Sequence, residues 1–163
     1  AIGLADLVVN GSVKPDFMRW RPTRDPVLKY AIHVVNGYRG GRYSFFSAHA
    51  ANTMSVALFF CLVVRSRLLT LSLLFWSVFN GYTRIYLGVH FPSVVLIGFC
   101  CGAVVAVASY CAYRYLYKKI TPKRDFISTQ FTSTGYAYAD IYAVVGVLLL
   151  ILLYGVIRAL FAT

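Results

Sequence analysis

TRIYLGVHFPSV, residues 83–94, sets an arginine and a histidine, Arg84 and His90, into sequence otherwise apolar enough to lie in a membrane. Ionisable side chains at that depth are costly to bury and face a polar cavity or a functional site, so both need partners. Upstream, Ser47, Ala48 and His49 open another apolar run, and Lys14 and Arg21 stand in the polar stretch before it. Three cations, two histidines and a helix start make a pocket suited to a phosphate.

The rest of the chain fits a polytopic membrane protein. Of its 163 residues 60% are apolar, and residues 45–64, 68–83 and 94–113 carry no charge, whereas a soluble helix shows a charged outer face every turn. Sixteen Lys and Arg stand against five Asp and no Glu, a net charge of +11, which calls for anionic partners. No basic stripe stands clear of the apolar runs, so nucleic acid is excluded in favour of membrane phospholipid and a phosphorylated substrate. Cys61, Cys100, Cys101 and Cys111 lie inside apolar runs without metal-ligand spacing and read as small buried hydrophobes. No metal, cofactor or obligate protein partner is implied.

The expected fold is an all-α transmembrane helical bundle forming a single domain over residues 1–163, with spans near 45–64, 68–84, 94–117 and 141–161. Each approaches the ~20 residues that a crossing helix needs. Ser47 is placed to cap the first span, and the turn Arg65, Ser66, Arg67 is so short that the second must return antiparallel. Arg84 then comes back to the face of His49. Gly88 and Pro92 break the chain around His90 before the third span begins. Residues 1–13 read as the end of a helix whose start is missing, and His33 as an ordinary interfacial histidine. Arg65, Arg67 and the run KKITPKR (118–124) read as topology determinants on the cytoplasmic face, which puts the pocket on the outer, periplasmic side of a cell (inner) membrane.

Three segments therefore meet at one face: Lys14 followed after six residues by Arg21 and Pro22, then FSAH (46–49), then residues 83–94. In this order they resemble the type 2 phosphatidic acid phosphatase superfamily over about two thirds of the chain. The family's first motif is complete in Lys14, Arg21 and Pro22. In the second, Pro-Ser-Gly-His, Phe46 and Ala48 replace proline and glycine around Ser47 and His49. In the third, Ser-Arg, five residues, His, three residues, Asp, the chain has Thr83, Arg84, His90 and Val94.

The resemblance implies metal-free hydrolysis of a phosphomonoester or diphosphate through a phosphohistidine. In that scheme His90 is the nucleophile and His49 the acid that protonates the leaving oxygen. Lys14, Arg21 and Arg84 clamp the phosphate, and Ser47 with the Ala48 N–H donates to it at the helix start. Val94 is the departure that matters, because the family's aspartate orients the nucleophilic ring and valine cannot. Misorienting a catalytic histidine costs about 10⁴ in turnover in the serine-protease case, so a very slow enzyme is expected unless another group serves. The replacements within reach are Ser93 beside His90, and Asp6 or Asp16 from upstream. The expected substrate is a lipid phosphate, with undecaprenyl diphosphate placed first and phosphatidylglycerophosphate, phosphatidate and lipid A phosphate behind it. From a different class stands a catalytically inactive phosphate-lipid binding or transport protein, and turnover separates the two.

Overall fold

The computed structural model describes residues 19–32, 34, 41, 44–120 and 129–161. Lys14, Asp6, Asp16 and His33 lie outside these, as do the whole of residues 1–18 and residues 121–124 of KKITPKR. Among the described residues there are four α-helices and no strands: α1 Ala48–Val64, α2 Arg67–Tyr86, α3 Pro92–Ile120 and α4 Tyr138–Leu160. They fall where the four spans are expected. Two stretches, Pro92–Tyr117 in α3 and Tyr138–Arg158 in α4, are long and apolar enough to cross a membrane; α1 is apolar but shorter.

Each helix boundary has a local cause. Ser47, in extended backbone, accepts the Ala50 N–H on its hydroxyl at 3.4 Å and so caps α1. At the other end Arg65 adopts φ 55° and donates its N–H to the Cys61 carbonyl at 3.2 Å, which reverses the chain directly into α2. The end of α2 is a Schellman turn: Gly88 N–H donates to Ile85 O at 2.8 Å and Val89 N–H to Arg84 O at 3.2 Å, with Gly88 at φ 64°. Pro92, which lacks an N–H, is then suited to the first turn of α3.

Helix α1 packs against both α2 and α3, and it runs parallel to α3, since Gly98 meets Ser47 and Ala50 and Gly102, one turn later, meets Ala51. Glycine permits the closest approach. A Cβ on Gly98 of α3 would sit 2.8 Å from the Ser47 carbonyl and 3.0 Å from the Ala50 Cβ; one on Gly102, a turn later, would collide with the Ala51 carbonyl. Without side chains there, the backbones of α1 and α3 touch, as small residues allow where van der Waals packing holds membrane helices together. On α2, Gly81 leaves room for Phe99 in the same way.

Two buried clusters result. One, at the α1–α2 reversal, joins Ala57, Val63, Val64, Leu69 and Leu73 to Ile141 and Val145 from the first turns of α4. A tight turn before α4 ties into it, since Thr134 donates its hydroxyl to the Val64 carbonyl at 2.8 Å. The other, at the opposite end, holds Phe46, Ala51 and Val94 with Phe45, Ala48, Phe91 and Cys101 around them.

Much of the helix surface outside these clusters faces outward and is apolar. Leu68, Leu71, Phe75, Val78, Phe79, Tyr82 and Tyr86 form an exposed stripe along α2, and α4 beyond Val145 exposes nearly every Val, Leu and Ile it carries. So large an apolar surface fits lipid and not water. The cysteines are a correction to the sequence reading: none is buried, and Cys100 and Cys111 are exposed while Cys61 and Cys101 are half-buried. A small apolar side chain in a membrane helix has no reason to turn inward, because lipid solvates it as well as a core does. At the reversal end, Arg65 reaches the Tyr110 hydroxyl at 3.4 Å and Arg114 lies 5.9 Å from the Tyr110 ring, the aromatic and basic mixture that suits a headgroup zone.

Candidate active site

The heads of α1 and α3 and the tail of α2 come together at one end of the bundle, and the site residues follow from that. The two helix heads bring their positive dipole ends to one place, which favours an anion. The Schellman turn then sets His90 on top of α2, its N–H donating back to the Arg84 carbonyl at 3.3 Å. Arg84 and His90 are thus joined through the main chain, six residues apart in sequence.

Arg21 arrives from the strap that precedes the bundle. Its guanidinium donates to the Val89 carbonyl at 3.4 Å, next to His90, and the Thr23 N–H donates to the Gly88 carbonyl at 3.3 Å. Pro22 opens a single 3-10 turn, Pro22–Arg24, in which Pro22 and Thr23 are buried against the bundle. On the same strap the Arg19 guanidinium lies 4.8 Å above the Phe91 ring, and the Arg19 carbonyl accepts the Ser44 N–H at 2.7 Å. The polar stretch before α1 is therefore stitched to both sides of His90.

His90 is 5% exposed, and its Nδ1 lies 2.9 Å from the hydroxyl of Ser44, which is fully buried. Val94 is fully buried too, one helical turn beyond His90, in the apolar cluster with Phe46 and Ala51. Ser93 is exposed on the outside of α3. Of the two aspartates among the described residues, Asp25 turns its carboxylate onto its own chain, accepting Val27 N–H at 2.9 Å and Leu28 N–H at 3.1 Å. The other, Asp140, is exposed in the first turn of α4 at the far end of the bundle.

His49 lies in the first turn of α1 and is exposed, at the mouth of the same end. Ser47 is buried and its hydroxyl oxygen is used as the helix cap, while Ala48, half-exposed, begins the helix. Arg84 is half-buried, with Nε donating to the Thr83 hydroxyl at 3.3 Å. The structure thus gathers Arg21, Ser47, Ala48, His49, Arg84 and His90 at one end, and Lys14 lies outside the described residues. Asn80 spends its amide on the Trp76 carbonyl at 2.8 Å, and Tyr82 points outward against Tyr86. Ser44 is the residue that sequence reasoning missed. Its signal was slight: a small polar residue three positions before the cap, in a segment otherwise aromatic.

The sequence profile of the PAP2 superfamily matches residues 1–118, which include every candidate site residue. The chain is 37% identical over 99 residues to the lipid A 4'-phosphatase of Bacteroides thetaiotaomicron, covering 60% of this chain and 44% of that protein. It is 37% identical over 114 residues to the lipid A 4'-phosphatase of Porphyromonas gingivalis, covering 69% of this chain and 48% of that protein. The chain spans about half the length of the curated relatives it matches. No solved structure matches it. With a profile match over most of its length, motifs in family order and an all-helical fold that gathers them, this chain belongs to the PAP2 superfamily.

Proposed function

We propose that this chain carries the phosphate site of a membrane enzyme that hydrolyses a phosphomonoester on a lipid-linked sugar headgroup of the lipid A type. The observation that carries the reading is the joining of Arg21, Arg84 and His90 around one chain reversal at the heads of two helices. The relatives' named activity supports a lipid A phosphate ahead of undecaprenyl diphosphate. The open end of the bundle admits a bulky headgroup while acyl chains stay in lipid along the apolar stripe of α2.

In this mechanism Nε2 of His90 attacks phosphorus. The P–Nε2 bond forms as the P–O ester bond breaks, and the leaving oxygen takes a proton from His49, exposed at the mouth where an alcohol product can depart. Water then attacks phosphorus, gives a proton back to His49 and releases inorganic phosphate from His90. Arg21 and Arg84, with Lys14, hold the phosphoryl oxygens as charge builds on them. The active site faces the outer side of a multi-pass protein, with the Arg65 reversal and the Arg114 end of α3 in the cytoplasmic headgroup zone.

Phosphate release from lipid A bisphosphate and from undecaprenyl diphosphate in detergent, with His90→Ala as the blank, tests the reading. Release from lipid A, lost in His90→Ala and inhibited by vanadate, is the expected result. Release from the isoprenoid diphosphate alone would reverse the substrate order. Vanadate binding without release from any lipid would favour the inactive binding or transport class.

A further inference from the structure

We propose that Ser44 is the residue that positions His90, in place of a carboxylate at position 94; the inference rests on the phosphatase reading above. Its hydroxyl lies 2.9 Å from Nδ1, with both side chains shut away from water. A hydrogen bond there is undiluted by solvent exchange, and the ring has a fixed partner on the side away from its nucleophilic nitrogen. Ser44 is itself held. Its N–H is bonded to the Arg19 carbonyl at 2.7 Å, and three residues later Ser47 starts α1, so the hydroxyl is anchored to the strap on one side and a helix head on the other.

The other candidate partners among the described residues are occupied differently. Val94 fills the apolar cluster under the site, and Ser93 is turned outward. Asp25 is bonded to its own backbone and Asp140 lies at the far end. Ser44 therefore takes the role for which the sequence puts forward Ser93.

The chemistry of the exchange is specific. With Nδ1–H donating to the Ser44 hydroxyl, the ring's lone pair is carried by Nε2, the nitrogen that attacks phosphorus. As the P–Nε2 bond forms, the ring becomes positive and Nδ1–H remains bonded to a neutral oxygen. A carboxylate would accept only, and would offset that charge. A hydroxyl both accepts and donates, so it fixes the plane of the ring firmly and its tautomer less firmly. Ser44 orients the nucleophile without activating it as strongly as a charged partner would.

The test compares wild type, Ser44→Ala and Ser93→Ala by two readouts in detergent micelles: kcat and KM on lipid A bisphosphate, and the side-chain ¹⁵N resonances of His90, which report its tautomer. Ser44→Ala is expected to lower kcat roughly tenfold, as for loss of one buried hydrogen bond, with KM little changed. It should also move the Nδ1 resonance toward that of a ring free to exchange tautomers. Ser93→Ala should move neither. If Ser44→Ala does not fold, Ser44→Cys, of similar shape but a poor acceptor, carries the same comparison. An unmoved resonance in Ser44→Ala, or the same movement in Asp6→Asn or Asp16→Asn instead, overturns the proposal. If wild type releases no phosphate above the His90→Ala blank, the phosphatase reading fails, while a resonance that moves only in the Ser44 variants still supports the pairing.

Discussion

Val94 fills with methyl groups a position where the family places an orienting charge, and its surroundings have closed around it. It is fully buried among Phe46, Ala51, Ala48, Phe91 and Cys101, and the ring nitrogen that a carboxylate would reach already has the Ser44 hydroxyl. Val94→Asp is therefore expected to destabilise the fold by about 3 kcal/mol, the scale of an uncompensated buried charge. Turnover should rise by far less than the ~10⁴ that separates an oriented catalytic histidine from a misoriented one. Thermal unfolding in detergent and phosphate release check both halves; a large gain in turnover with unchanged melting would show that Nδ1 has no effective partner in the natural sequence. The motif residues were legible in the sequence because their spacing is local to each segment. Ser44 was not, because its meeting with His90 across 46 residues depends on how closely two helices approach.

That approach is settled at the scale of the element, by glycine. The helices themselves could be read from uncharged runs and from Ser47, Gly88 and Pro92 at their ends, and all four begin within three residues of the expected position. What the runs did not disclose was which faces touch. In lipid, a hydrophobic face carries no inside or outside label, and the outward cysteines are the clearest instance. Gly98→Ala and Gly102→Ala are expected to force α1 and α3 apart by the collisions with Ser47, Ala50 and Ala51, each costing about 1–3 kcal/mol of stability. Gly98→Ala, nearer the site, should also reduce kcat. By contrast Gly146 and Gly155 in α4 have nothing within 4 Å, and alanine there should be neutral or stabilise by up to ~1 kcal/mol through helix propensity. Melting curves of the four variants decide this. At Gly88, where φ is 64°, alanine is expected to cost about 1 kcal/mol and to lower activity more than stability, since the turn it strains carries His90.

For the whole molecule, the basic reversal lies at one end of the bundle and the proposed phosphate site at the other, and the proposed orientation puts the two on opposite sides of the membrane. A cysteine placed at exposed Ala31, on the strap, is expected to react with a membrane-impermeant maleimide in intact cells, and one at exposed Ser133, beside the α4 turn, only after permeabilisation. The reverse pattern would invert the orientation. Native Cys100 and Cys111, exposed on the apolar helix α3, are expected to resist the charged reagent on both sides and accept a lipid-soluble one, as thiols facing hydrocarbon would. Loop charges alone gave the orientation in sequence reading, and this remains a matter of counting arginines and lysines.

The glycine contact between α1 and α3 has one more effect, on how this protein is free to vary. The spacing between the helix that bears His49 and the turn that bears His90 is set by main chain meeting main chain, with no side chain between them to be exchanged. Apolar residues on the outer faces of α2 and α4 are then free to drift among Leu, Val, Ile and Phe to suit one bilayer or another. The strap beyond Thr23, residues 24–30, makes none of the contacts that hold His90 and is free to be rewritten for a different headgroup. Neither kind of drift would reach the reacting atoms, so one chemical centre could serve many lipids.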